Sequence, residues 1–548
     1  MFQRLLNRLW TDIKTDAQKF GAHLKHVAER PWDSLFALLA AIGGLVLAIP
    51  RLLWDALRWL WRAIKTAETW TVRRVVHAVL VLAVVGVCLV FLGITFVIFY
   101  PSTQAPNFQN VDQHVYLSEG RGWNGGQLEP LRQLYYYTPQ GTSVKNLPYK
   151  WFVSLEVPLG KTRFVTPDRM NAYGFLVDST PSPANPDQLP VGFTSHFEPL
   201  VGQRVLDITC SACHTGELVV NKNGRRYGLR IDGGAAMHAF TTAKPGNFEL
   251  ELLASLTSTY FDPFKYDRFA RKVLGPTYPE GYFKLHSNLG SMIAAFMNQA
   301  AIDNNPFNRL YPTVEGSGRT DALARIGNTV FGDELSPKNY RVGNAPVRYP
   351  PVWDIWKFDY VQYNASVRQP MSRNLGESLG VGAAARLLTP YGGPVAEQDR
   401  YVTTSMMGNL NKIETALWSL EPPRWSEDCF GKIDWQKAEQ GQKLYVQTCA
   451  HCHGPFPAGE AIKQWKAPLK AGAQNVAQSE QAWDQFLASA YKGDATDANG
   501  AYTPANWKYE DDPLPLWVMH PFTVEDIGTD PRTAVNFVEK QIDLSRLQ

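Results

Sequence analysis

The sequence predicts a mainly α-helical protein with extensive irregular loops, arranged as two domains of one kind behind an N-terminal transmembrane anchor. Three observations predict it. A short pattern, Cys-x-x-Cys-His, occurs twice, as Cys210-Ser211-Ala212-Cys213-His214 and as Cys449-Ala450-His451-Cys452-His453. An uncharged, mostly apolar run from Ala78 to Phe99 is long enough, at ~1.5 Å per helical residue, to cross ~30 Å of hydrocarbon. From Pro101 onward the composition turns to Pro, Gly, Asn, Tyr and Trp, with turn signals such as Pro139-Gln140-Gly141 and Asn221-Lys222-Asn223-Gly224, which implies loops over a helical core.

Two thiols three positions apart, followed at once by an imidazole, form the attachment pattern of a c-type haem. One helical turn presents both sulfurs to the two vinyl groups, and the adjacent His supplies a nitrogen to the iron. A zinc site would need four ligands, and a thiol redox pair needs neither the following His nor a second copy. The sequence therefore predicts two covalently bound haem c groups with their iron. Cys210, Cys213, Cys449 and Cys452 attach them, and His214 and His453 are the proximal metal ligands. The two expected domains are cytochrome c-type haem domains.

The chain of 548 residues is long enough for two or three domains. Its 54 basic and 51 acidic side chains nearly cancel, to +3, so no nucleic-acid partner is implied. Four of the six cysteines belong to the two motifs; Cys88 lies in the apolar run and Cys429 in Ser-Glu-Asp-Cys-Phe. Cys88 reads as a small apolar residue in lipid and Cys429 as a lone thiol.

In order, residues 1–33 carry Arg4, Arg8, Lys14, Lys19, Lys25 and Arg30 among apolar positions, the mark of a helix lying beside a membrane. Ser34 to Pro50 is uncharged but short for a span and contains Gly43-Gly44, so it spans or re-enters. Arg51 to Trp70 puts Leu53, Trp54, Leu57, Leu60 and Trp61 on one face, as an interfacial helix does. A transmembrane helix is expected at about 78–99. Arg73 and Arg74 precede it while 101–120 contain no Lys or Arg, which puts the N-terminus in the cytoplasm and the haem domains in the periplasm of a bacterial inner membrane.

Beyond the anchor, a hairpin is expected from Leu218–Val220 and Arg226–Ile231 across the Asn-Gly turn, with helices at Phe248–Thr259, Gly290–Ala300 and Thr415–Ser419. The double proline at Pro422-Pro423 marks the best boundary. The expected organisation is a membrane leader over 1–100, an N-terminal haem domain with large loop insertions over 101–422, and a C-terminal haem domain over 423–548. Lys437, Ala438, Gly441, Leu444 and Tyr445 form one helical stripe running into Cys449.

The order of CSACH, Pro350-Pro351-Val352-Trp353-Asp354, Gln369-Pro370-Met371 with Arg373-Asn374 and Gly376-Glu377, then CAHCH and Ile527-Gly528-Thr529-Asp530-Pro531 resembles the dihaem cytochromes of the rubber oxygenase group, within the dihaem cytochrome c peroxidase superfamily. The resemblance covers roughly 105–540. It implies one haem with an open position for O2 or peroxide, and a second, ligated on both faces, that passes electrons. His214 would serve the reactive iron and His453 the electron-transfer iron. Relatives of that group continue past the last element, whereas this chain stops at Gln548.

Met519 and His520 are candidate sixth ligands of the second iron, against a reading as loop residues before Pro521. Trp353 and Trp356, with Phe358, Tyr360 and Tyr363, either shape an apolar pocket with a catalytic part or are simply core. Arg373 either pairs with a haem propionate or makes a structural salt bridge. The function expected on these grounds is a membrane-anchored, periplasm-facing haem-dependent oxidoreductase of peroxidase or oxygenase type. The alternative is a non-catalytic electron-transfer cytochrome or a subunit of a respiratory membrane complex. The expected partners are the inner membrane, an electron donor or acceptor protein, and O2, peroxide or a small-molecule substrate.

Overall fold

The computed structural model describes residues 111–449 and 522–547, apart from 179, 200, 239, 241–247, 306, 314, 354, 356–357, 359–360, 368–369, 390 and 401, together with Leu82, Val85 and Gly86. The chain divides into two compact units. The smaller comprises Met1–Ala105, Glu156–Thr162 and Ala243–Pro312, and the larger comprises Pro106–Leu155, Arg163–Thr242 and Thr313–Gln548.

The larger unit opens on β1 (Gln113–Tyr116) and α1 (Pro130–Tyr137). Pro130 starts α1, where its missing N–H would have had no helical partner. Tyr135, Tyr136 and Tyr137 are all buried, which one helix face cannot arrange, so each hydroxyl must find its own acceptor. Tyr135 donates to the His214 carbonyl at 2.6 Å, Tyr136 to Asp232 and Tyr137 to Asp178. After α2 (Tyr149–Ser154), β2 (Phe193–Glu198) pairs antiparallel with β3 (Gln203–Ile208).

A single helical turn, α3 (Cys210–Cys213), follows β3 directly and leads into β4 (Thr215–Lys222) and β5 (Arg225–Asp232). Asn223 and Gly224 both have positive φ, 52° and 73°, as a two-residue hairpin turn of this hand requires. The expected hairpin is therefore present and longer than its apolar residues suggested. β1 lies parallel to β5, giving the sheet order β1-β5-β4.

The described part of the smaller unit is built on three helices: α4 (Phe248–Phe261), α5 (Pro263–Leu274) and α6 (Tyr282–Asp303). Asp262 caps α5 by accepting from the amides of Phe264 and Lys265. The ammonium of Lys265 is buried and donates to the carbonyls of Val157 (2.5 Å) and Pro158 (3.3 Å) and to Ser258 Oγ (2.6 Å). It clamps the 156–162 segment to α4, and burial lowers its pKa to about 8.

The larger unit resumes with α7 (Ala322–Gly327), α8 (Pro370–Gly380), α9 (Met407–Leu417), α10 (Glu427–Phe430) and α11 (Trp435–Thr448), and ends on α12 (Val524–Ile527) and α13 (Arg532–Val538). Two-residue ladders join Arg319–Thr320 to Val347–Arg348 and Ala385–Arg386 to Val402–Thr403. The main core gathers Trp123, Leu131, Tyr135, Val352, Ile355, Ile413, Leu417 and Leu420, with Cys210 and Trp353 packed at its edge.

The expected fold class is corrected. The larger unit is a mixed α/β body built on a three-stranded sheet and an antiparallel pair, not a mainly α pair of cytochrome c-type domains. The strands are short and interleaved with loops, and β1 finds its partner more than a hundred residues later, so neither leaves a local period to read. Among the described residues no helix is long and apolar enough to cross a membrane. The expected anchor at 78–99 lies outside them, save for three positions.

Candidate functional site: a half-buried thiol and imidazole turn

The first Cys-x-x-Cys-His motif is held from three sides. The His214 amide donates to the Cys210 carbonyl at 2.9 Å, closing the turn. Thr209 Oγ1, hydrogen-bonded to Ser211 Oγ at 2.8 Å, also reaches the Tyr136 carbonyl at 3.1 Å, tying the turn to α1. Gly192 lies against it with φ +84°, and a Cβ there would stand 2.3 Å from the Ala212 amide nitrogen. Only glycine admits so close a backbone approach.

Both thiols are free. Cys210 Sγ accepts from Gln140 Nε2 at 3.0 Å. Burial pushes the Cys210 thiol up to about 11, with Gln140 opposing. Burial, aided by the nearby Glu377 carboxyl, pushes Cys213 up to about 12. Both sulfurs are therefore held as S–H at neutral pH, unlike the low-pKa thiolate of a reactive cysteine.

The His214 ring completes the group. Its Nδ1–H donates to the Pro350 carbonyl at 2.8 Å, and burial lowers its pKa to about 4. The ring is thus neutral, with its tautomer set and the Nε2 lone pair free of that bond, which is the state a metal-ligating imidazole needs. Tyr349 packs edge-on to it, with centroids 6.3 Å apart.

Arg373 and Glu377, on α8, carry the charge near this turn; Arg373 acts electrostatically on both Cys210 and His214. Its Nη2 lies 2.9 Å from Glu414 Oε2, and its Nε 3.0 Å from Asn374 Oδ1. Nη1 of Arg373 and Oε1 of Glu414 are buried without a hydrogen-bond partner. Such a pair of orphaned atoms is costly. Glu377 accepts from Gln362 Nε2 at 2.7 Å, and burial raises its pKa.

Of the other residues singled out, Trp353 donates Nε1 to the Asp232 carbonyl at 2.8 Å and packs on the main core, which is the structural reading. Cys449 stands just past α11 as a partly exposed free thiol. Trp356, Cys452, His453, Met519 and His520 lie outside the described residues. Gln140, Tyr349 and Pro350 were not foreseen as neighbours of the turn, since a lone amide, phenol or carbonyl contributed by a distant loop carries no sequence signal. Among the described residues no group of three or more His, Cys, Asp or Glu is placed to hold a metal ion. The expected metal-binding character is corrected in that sense, among the described residues.

Comparison with known proteins gives two matches. The family of the Sec-independent protein translocase protein (TatC) matches residues 2–118. The uncharacterized protein y4iJ of Sinorhizobium fredii is 30% identical over 489 residues, covering 83% of this chain and 70% of that protein. The chain belongs to the y4iJ family. No solved structure matches. The rubber oxygenase resemblance is overturned, because the family that matches is a protein translocase and not a cytochrome c or dihaem peroxidase family. The oxidoreductase function and its electron-transfer alternative, both drawn from that resemblance, fall with it. The membrane expectation stands in its coarse form: TatC is a bacterial inner-membrane family, and this chain is a partner of that membrane.

Proposed function

We propose that this chain works at the inner membrane, seated there by a translocase-type leader, and that its body holds a covalently attached prosthetic group at the Cys210 turn. The leader's match to the translocase family over 2–118 supports the first half. The excess of Arg73 and Arg74 on one side of the apolar run supports a cytoplasmic N-terminus with the body outside.

The second half rests on one observation: a neutral imidazole oriented by Pro350 directly follows two free, half-buried thiols a turn apart. These residues fit a haem. Cys210 and Cys213 would form its thioethers, His214 would bind its iron, and Arg373, whose Nη1 lacks an acceptor, suits a propionate. A haem held there would supply an iron centre whose properties its protein ligand tunes. Gln140 orients the Cys210 sulfur, the Pro350 carbonyl holds the ring, and burial keeps the ring unprotonated. The Cys449-Ala450-His451-Cys452-His453 pattern supports a second such group by sequence alone.

The test is a pyridine haemochrome assay on the denatured full chain from a host able to attach haem. Two haems per chain are expected, and one after Cys210→Ser with Cys213→Ser. Haem-free protein of normal abundance in the membrane fraction would overturn the prosthetic group and leave the membrane half standing. A second reading, a part in protein translocation itself, is favoured by the 2–118 match. It predicts that deleting the gene impairs Sec-independent protein export.

A further inference from the structure

The described part of the larger unit breaks off at Cys449, just past α11, and resumes at Phe522. Beyond α13, residues 541–547 cross that same unit as a strap whose one regular element is the 3-10 turn Ser545–Leu547. A segment with so little secondary structure must satisfy its main chain through other groups.

It finds them in side chains of distant segments. Asn339, fully buried, spends both halves of its amide on one residue: Nδ2 donates to the Asp543 carbonyl at 3.1 Å, and Oδ1 accepts from the Asp543 amide at 2.7 Å. This reproduces the paired exchange that a neighbouring strand would make. Arg341 Nη2 donates to the Gln541 carbonyl at 2.6 Å, and Arg400 Nη2 to the Leu547 carbonyl at 2.6 Å. The strap answers through Arg546, whose guanidinium donates to the Leu335 carbonyl at 2.8 Å and to the Gly392 carbonyl at 2.7 Å. Leu547 completes the seam by burying itself against Leu335 and Leu387, with Ile542 packed alongside. Main-chain hydrogen bonds for affinity and a pocket for one side chain are how a groove holds an extended peptide.

We infer that this groove is a clasp whose ligand is the chain's own segment 541–547, and that it retains the later part of the chain when the polypeptide is cut between residues 450 and 521. A cut abolishes the high effective concentration that the intact chain gives the strap, so the strap must hold by its own contacts. Those contacts suffice because leaving the groove strands the buried amide of Asn339 and bares Leu335 and Leu387 to water. α13 adds polar exchanges, Asn364 Nδ2 to the Thr533 carbonyl at 3.3 Å and Asn536 Nδ2 to Asn344 Oδ1 at 2.8 Å, while Leu547 supplies a buried apolar anchor. Both flanks of the second Cys-x-x-Cys-His stretch, α11 before it and the strap after it, then belong to one body even in a broken chain.

The inference is independent of any haem and of the leader. The test inserts a recognition site for a sequence-specific endoprotease between Asp497 and Ala498, in a polar stretch of the sequence, and cuts the full chain in mild detergent. The fragment that begins at Ala498 is expected to co-elute with the rest of the protein in size-exclusion chromatography. An excess of synthetic peptide spanning residues 539–548 should hasten its release by competing for the groove. Leu547→Asp, which sets a charge in the apolar pocket, should speed release about tenfold or more. Loss of the fragment from the unaltered cut chain overturns the proposal. So does a release rate that the competing peptide leaves unchanged, a result read on unaltered protein and therefore free of any folding defect in the variant.

Discussion

The imidazole of His214 lies 2.8 Å, through Nδ1, from the carbonyl oxygen of Pro350, a residue 136 positions further along the chain. The motif thus arrives at a group only after a distant loop has fixed which nitrogen is free. That loop is itself anchored, since the Tyr349 amide donates to the Gly318 carbonyl at 2.9 Å and Val352 to that of Gly233 at 2.9 Å.

Gly192→Ala tests how tightly the turn is held. The new methyl would meet Ala212 backbone and side-chain atoms within 2.3 to 2.6 Å at a positive φ, so the Cys210 turn has to shift. A loss of roughly 1–3 kcal/mol is expected, read as a lower urea midpoint. If the proposed haem is attached, the haem content of the purified protein should fall more steeply than its abundance.

Arg373→Met removes a cation whose Nη1 has no partner and strands Glu414, which is buried against it. A loss of about 3 kcal/mol is expected from the uncompensated carboxylate. The double variant Arg373→Met with Glu414→Gln should recover most of that stability, yet, if the proposed haem is attached, still incorporate less of it than the unaltered chain. Full haem content in the double variant would assign Arg373 to the fold alone.

Asp232 is the hub of the sheet. It accepts from Arg132 Nε at 2.7 Å, from Ser118 Oγ at 2.6 Å and from Tyr136, and both members of its ion pair are fully buried. Asp232→Ala should cost about 3–5 kcal/mol, lowering the thermal midpoint of the body. Asp232→Asn, which keeps an acceptor, should cost less.

His196 gives stability a definite pH dependence. It is buried between Asp207, 2.7 Å from Nδ1, and Glu198, 3.5 Å from Nε2. Burial alone would lower its pKa, but the two carboxylates outweigh it and raise it above 6.5. A raised folded value means that the folded state holds the proton more tightly. The contribution is therefore complete below pH 6.5 and disappears as pH climbs through the raised value. Urea unfolding of His196→Gln and of the unaltered chain should differ most at about pH 6, and the gap should narrow toward pH 9. A gap that widens with pH would refute this account.

What the sequence makes legible is what lies close together along the chain. The Cys210 turn, the Asn223-Gly224 hairpin and the helices starting at Phe248 and ending at Thr448 all follow from local spacing. Pairings between distant segments are not legible: β1 with β5, Gln140 with Cys210 and Pro350 with His214 leave no periodic trace. The family resemblance failed for a related reason. It leaned on short pieces around Trp353 and Arg373, and Trp353 turns out to brace the end of β5, a task that any fold can give a tryptophan.

The parallel pairing of β1 with β5 has a further consequence for how the protein is made. Gln113 emerges from the ribosome well before Tyr227, its partner, so the first strand waits unpaired while more than a hundred residues are still being synthesised. No hairpin can form there early, because parallel neighbours need a long crossover. The nascent body next to the leader is therefore an open strand edge of the kind that attracts foreign chains. Biogenesis of this protein should depend on a holding chaperone, or on slow elongation, until Asp232 has been added.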